Sequence, residues 1–218
     1  MASSDPALMP ALVTAPEEVR RSPARRAYGR LGRPLIDGMA RRSRVWKYRA
    51  LSDCTRVSGS PLVLQPVLYA GTGRIEIGEG VRFGWRDSPD FYTGYCHVEA
   101  AGPEALVRIG DGVEFSNSVM VKSEGAGVEI GRAALIGSFV EILDSDFHDL
   151  DPARRRGGTP RMAPVTIGEN VFLGMGVRVL KGVAIGRDSV IGAGSVVVSD
   201  IPAGVIAAGN PARPVREL

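Results

Sequence analysis

From Ile167 to Pro202 the chain repeats every six residues. Successive units open on Ile167, Leu173, Val179, Ile185, Ile191 and Val197, and Gly168, Gly174, Gly186 and Gly192 follow four of them. Four places after each opening residue stands a small or β-branched one: Val171, Val177, Val183, Ser189, Ser195 and Ile201. A short fixed period of this kind marks a solenoid whose units are one short strand plus one turn. No unit can bury its apolar side alone, so stacked units share one continuous core. The opening aliphatics point inward and the polar positions outward. The glycine after each aliphatic is expected at the tight corner, in the left-handed backbone conformation that glycine tolerates. The expected architecture is all-β, a parallel β-helix.

The period extends upstream in broken form. Ile109, Phe115, Ile130 and Ile136 open further units, and Ile77 opens an isolated one. Ser123 to Gly127 interrupts the repeat, and Trp85 to Gly102 diverges from it. The longest break, residues 143–164, is polar and carries Asp144, Asp146, His148, Asp149, Asp151 and the run Arg154, Arg155, Arg156. Long loops inside compact solenoids tend to carry function. This one is expected to leave the coil and bring chemistry with it.

Charge divides the chain. Residues 1–50 hold eleven Lys and Arg against four acids, a net +7. The whole chain carries +3, so residues 51–218 carry −4. Residues 1–55 read as a basic arm, helical in part, with a break near Gly32 to Pro34. Such an arm either caps the solenoid or meets a polyanion, and it is a candidate for peripheral contact with the inner membrane face. No aromatic interleaving or nucleic-acid motif accompanies the charge, so no nucleic acid is expected as a partner. No run approaches the ~20 apolar residues of a membrane span. The N-terminus lacks a signal-peptide pattern, and a cytoplasmic location is expected. Cys54 and Cys96 have no metal-type spacing and read as reduced thiols.

The stretch from Ile167 to Leu218, ending Gly209-Asn210-Pro211-Ala212-Arg213-Pro214-Val215-Arg216, resembles the bacterial hexapeptide-repeat acyltransferases. The resemblance covers about residues 105–218 and is greatest to the sugar O-acetyltransferases, such as the maltose, galactoside and colanic-acid types. It implies a left-handed parallel β-helix, against the usual crossover hand. It also implies a homotrimer with acetyl-CoA bound between neighbouring subunits. On that basis residues 56–205 form the β-helix domain and 206–218 a CoA-binding tail.

The resemblance assigns the general base to His148. Acetyl transfer to a hydroxyl needs a group that accepts the hydroxyl proton near neutral pH, which suits imidazole. The chain has two histidines, His97 and His148, and His97 reads as structural or solvent-facing. With two histidines it cannot supply the three His ligands of a γ-type carbonic anhydrase zinc site, and no metal is expected. Asp146, Asp149, Glu141 or a backbone carbonyl would orient the imidazole. Asn117 and Asp144 are the candidate acceptor-binding residues, and the backbone amide of Met175 is the candidate oxyanion donor. For the cofactor, Phe172, Gly174, Gly192 and Ala193 fall where the family lays the pantetheine arm. Ser199, Arg213 and Arg216 fall at the adenosine end.

The function implied is acetyl transfer from acetyl-CoA to a sugar hydroxyl of an exopolysaccharide or lipopolysaccharide precursor, with a lipid- or nucleotide-linked carbohydrate as acceptor. N-acetylation of a nucleotide-linked amino sugar is the alternative. Residues 1–75 show none of the βαβ pattern that those relatives often carry. A non-catalytic scaffold is the third reading.

Overall fold

A computed structural model describes residues 33–218. Helix α1 (Arg33–Leu51) opens the described chain. Pro34 sits in its first turn, where a missing N–H costs nothing, and Arg49 in the last turn suits the negative end of the helix dipole. The break expected near Gly32 to Pro34 is the start of this helix. The helix expected before it lies outside the described residues.

Eighteen short strands then wind six coils around one core, each coil contributing one strand to each of three parallel sheets. The first coil is β1 (Val57–Ser58), β2 (Leu62–Val63) and β3 (Val67–Ala70), and the second is β4 (Arg74–Ile77), β5 (Arg82–Phe83) and β6 (Cys96–Ala100). The third is β7 (Leu106–Ile109), β8 (Glu114–Phe115) and β9 (Met120–Ser123). The fourth is β10 (Val128–Ile130), β11 (Leu135–Ile136) and β12 (Glu141–Leu143). The fifth is β13 (Val165–Ile167), β14 (Phe172–Leu173) and β15 (Arg178–Val179), and the sixth is β16 (Ala184–Ile185), β17 (Val190–Ile191) and β18 (Val196–Val197). The last elements, β19 (Val205–Gly209) and β20 (Ala212–Glu217), form an antiparallel hairpin on the second sheet. The segment read as a separate tail is therefore continuous with the solenoid. The fold is the left-handed parallel β-helix that was expected.

Register explains the hexad. In the first sheet Ile77, Ile109, Ile130, Ile167 and Ile185 stand above one another. In the second, Phe83, Phe115, Ile136, Leu173 and Ile191 do the same. In the third the column is Val98, Val121, Ile142, Val179 and Val197. All are buried, and the Phe83 and Phe115 rings stack 4.5 Å apart. Each such side chain contributes about 1.5–3 kcal/mol by leaving water. Truncating one, as in Ile142→Ala, would cost about 2–5 kcal/mol.

The glycine expectation needs correction. Gly174 follows its aliphatic but does not adopt the left-handed conformation. A Cβ there would stand 2.7 Å from the Ala193 amide nitrogen of the next coil, so its hydrogen serves close stacking. The left-handed residue falls two places later, as at Gly176 (φ 69°) and Asn170 (φ 55°).

Insertions gather at particular corners. Residues 101–105, 124–127 and 144–164 all leave the coil between the third sheet and the first. Among the described residues only 84–95 leave between the second sheet and the third. The stretch from Trp85 to Gly102, read as divergent, thus contains a regular strand, β6.

Candidate functional site

His148 lies on the 144–164 loop, and the loop is fastened at its base. Asp144 is fully buried, and its carboxylate accepts hydrogen bonds from Ser123 Oγ at 2.7 Å, the Glu124 amide at 2.8 Å and the Gly127 amide at 2.8 Å. Ser145 bridges Met162, the Asp146 amide donates to Arg161 O, and the Ala163 amide donates to Asp144 O. The two loop strands therefore enter and leave as a short antiparallel pair. Beyond them Phe147 turns in the left-handed conformation (φ 60°), with its amide donating to Ser145 Oγ and the Lys122 ammonium 5.0 Å from its ring centre. His148 follows, exposed, with no hydrogen bond to its ring among the described residues.

None of the three carboxylates considered for orienting His148 bonds to it. Asp146 pairs with Lys181 through Oδ1 at 2.7 Å, and its Oδ2 is buried without a partner. Asp149 faces Arg154 and accepts the Asp151 amide, while Glu141 takes Arg178 Nε at 2.8 Å. Asp146 is thus a strut between the loop base and the fifth coil. This corrects its assignment beside the imidazole.

The two acceptor-binding expectations also need correction. Asp144 spends its oxygens on backbone and hydroxyl donors with no face to solvent. Asn117 is fully buried: Oδ1 accepts the Trp85 amide at 2.9 Å, and Nδ2 donates to the carbonyls of Trp85, Ser88 and Pro89. Asn117 holds the 84–95 insertion onto the coil, and neither residue is open to a ligand.

The residues assigned to the cofactor form a second region. Gly174, Met175, Gly192 and Ala193 occupy the corner between the second and third sheets on adjacent coils. Met175 is half-exposed, and its amide has no acceptor among the described residues, so the donor is free. Phe172 is exposed on the outer face of the second sheet, in register between Leu135 and Val190. Arg213 donates to Ser199 Oγ at 3.3 Å, so two of the three residues assigned to the adenosine end meet. Arg216 stands opposite Ile206 in the terminal hairpin.

Along the coil these two regions are rooted at different corners. Lys181, which holds the loop base through Asp146, lies six residues and one strand beyond Met175. The base of the His148 loop and Met175 therefore flank opposite ends of β15.

Sequence reasoning missed a polar network on the outer face of that sheet. His97 Nε2 lies 2.9 Å from Glu99, Glu99 pairs with Lys122 at 3.2 Å, and Lys122 also pairs with Glu124 at 3.0 Å. Burial works against the Lys122 charge, but its hydrogen bonds to Glu124 and Glu99 outweigh it and hold the pKa above the ordinary lysine value. Residues 97 and 99 alternate onto one face, and strand register sets Glu99 opposite Lys122. The alternation was present in the sequence, within a segment read as irregular. Neither cysteine offers a nucleophile: both are buried, and burial pushes the Cys96 thiol up to about 12.

Comparison with known proteins agrees with this architecture. A family model described as bacterial transferase hexapeptide (six repeats) matches residues 164–199. The chain is 39% identical over 112 residues to a galactoside O-acetyltransferase of Lactococcus lactis, covering 51% of this chain and 53% of that one. It is 45% identical over 91 residues to the galactoside O-acetyltransferase of Escherichia coli K12, covering 42% and 44%. The chain spans about half the length of the curated relatives it matches. A solved hexapeptide-repeat acetyltransferase of Vibrio cholerae, complexed with acetyl coenzyme A, superposes with a TM-score of 0.54 at 30% identity. That match covers 65% of this chain and 70% of the Vibrio chain. With its six stacked coils and this match, the chain belongs to the hexapeptide-repeat acetyltransferase family.

Proposed function

We propose that this protein transfers an acetyl group from acetyl-CoA to a sugar hydroxyl, with His148 as general base. The observation that carries the reading is His148 itself. It is an exposed imidazole with both nitrogens unclaimed, on a loop held at its base by a buried carboxylate. An imidazole so placed can accept a proton from an acceptor hydroxyl.

The step is direct. As the acceptor oxygen attacks the thioester carbonyl, its proton passes to His148, a C–O bond forms and the C–S bond breaks. The CoA sulfur leaves as thiolate and takes the proton. The free Met175 amide is suited to receive the developing oxyanion. The small-residue corner at Gly174, Gly192 and Ala193 admits the pantetheine arm, with Phe172 beside it. Arg213 with Ser199, and Arg216, would hold the phosphates of the adenosine end. The His148 loop is rooted at one end of β15 and Met175 stands at the other, and in this reading neighbouring copies complete each site. The proposed assembly is a trimer. The galactoside O-acetyltransferases among the relatives support a carbohydrate acceptor.

The test begins with acetyl-CoA binding by calorimetry, which needs no knowledge of the acceptor. Binding of one equivalent per chain is expected, followed by turnover with sugar acceptors. His148→Ala is expected to lower turnover by about a hundredfold or more while leaving acetyl-CoA affinity unchanged. Full activity in that variant removes His148 from the mechanism.

A further inference from the structure

We infer that the exposed face of α1 docks on an anionic lipid surface. An amphipathic helix on a globular body ordinarily buries its apolar stripe and offers its charges to water. Here two of the arginines turn inward and two large apolar side chains turn outward. Arg41 and Arg44 turn inward: Arg41 donates to Val63 O at 3.3 Å, and Arg44 donates to the carbonyls of Phe91 and Gly94. Half-buried on the same side is Tyr48, stacked on Tyr95 at 4.5 Å. The side facing away carries Met39 and Trp46, 72% and 73% exposed. Seven residues apart, they share one face two turns long, with exposed Arg42 and Ser43 between them.

Charge flanks the stripe. Arg42, Lys47 and Arg49 are exposed beside it. Over its length α1 holds six basic residues and one acid, a net +5. An exposed face that carries Met and Trp with cations between and beside them is the composition of a helix that lies in the headgroup layer. Indole belongs at that boundary, where one edge is dry and the other wet. No helix among the described residues is long and apolar enough to cross a membrane, so the contact is peripheral. Charge also selects the occupant. A second copy using the same face would set two helices of +5 against each other, whereas an anionic leaflet attracts both the helix and its borders. Residues 51–218, at −4, are repelled from the same leaflet, which leaves α1 as the point of contact.

The experiment sediments the full chain with phosphatidylcholine vesicles, with and without about 30% phosphatidylglycerol. The comparison variant is Met39→Glu with Trp46→Glu, whose outward side chains leave the coil untouched; circular dichroism and melting verify its fold. Wild type is expected to bind only the anionic vesicles, and to be released as ionic strength rises well above 0.1 M, where screening shortens to less than about 10 Å. The double variant is expected to bind at least about tenfold more weakly. In a Trp85→Phe background, Trp46 emission is expected to shift to the blue on binding. Absence of wild-type binding, or equal binding by the double variant, overturns the inference. So does loss of binding only when Arg20, Arg21, Arg25, Arg26 and Arg30 are replaced by Gln, which would move the contact upstream of α1. Self-association of the wild type that the double variant abolishes would assign the face to a second copy instead.

Discussion

Replacing Asp144 separates a structural carboxylate from a ligand-binding one. In Asp144→Ala the Ser123 hydroxyl and the Glu124 and Gly127 amides lose an acceptor at 2.7–2.8 Å in a site closed to solvent. Gly127 keeps a second acceptor, Ser123 Oγ at 3.2 Å, but the Glu124 amide has no other. Hydrogen bonds to charged groups are worth about 1.5–3 kcal/mol each, and buried donors left unmade cost a further ~1–3 kcal/mol. Allowing for the shared donor and partial relaxation, the loss is about 3–5 kcal/mol, as for other broken buried charge contacts. At about 2–4 °C per kcal/mol for a chain of this size, the melting temperature falls by on the order of 10 °C. Asp144→Asn keeps one acceptor oxygen but aims an NH₂ at donors, so it recovers only part of the loss. The assay is thermal unfolding at fixed protein concentration, with the acceptor Michaelis constant measured alongside. An Asp144→Ala protein that melts with the wild type and differs only in its Michaelis constant would refute the argument and restore Asp144 to the acceptor site.

Three further outcomes are expected. Asn117→Ala frees the 84–95 insertion by removing four hydrogen bonds, and it is expected to cost about 2–4 kcal/mol in denaturant unfolding; limited proteolysis should then cut first in that segment. Gly174→Ala drives a Cβ to within 2.7 Å of the Ala193 amide and is expected to cost about 1–3 kcal/mol, whereas Gly192→Ala, whose tightest contact is the Ala208 Cβ at 3.1 Å, should cost less; an equal loss at both sites would sink the stacking argument. Burial raises the Cys96 thiol to about 12, so above pH ~9 the unfolded chain ionises first and stability falls as pH rises toward 12, by up to about 1.4 kcal/mol per pH unit. Urea titrations between pH 8 and 10, compared with Cys96→Ala, check that slope.

What could be read from the chain and what could not follow from where the repeat governs geometry. The inward columns were legible from Ile109 onward in the first sheet, from Phe115 in the second and from Val179 in the third, because each hexad there supplies one apolar residue to one sheet and stacking does the rest; Val98, Val121 and Ile142 adjoin the breaks in the repeat. His148 stood out because the repeat breaks around it. Asn117 and Asp144 misled for a shared physical reason. Both are polar residues near turns, and a polar residue near a turn can face a ligand or fasten a neighbouring segment. Only the third dimension shows that Asn117 lies beneath an insertion that leaves the coil 32 residues earlier at Trp85, or that Asp144 reaches back 21 residues to Ser123.

The same limit applied to charge. Eleven basic residues in the first fifty left capping of the solenoid and attraction to anions both open, and composition could not say which of them face the coil. Arg41 and Arg44 turn out to be anchors, with their guanidinium groups spent on carbonyl oxygens. That anchoring rolls Met39 and Trp46 outward, against the ordinary pattern for a capping helix. A helix that served only to cap the solenoid would gain by the opposite rotation, burying Trp46 and freeing the arginines, at ~25 cal/mol for each Å² of apolar surface covered. The orientation adopted forgoes that burial, and an external apolar surface bordered by anions is the environment that would restore it.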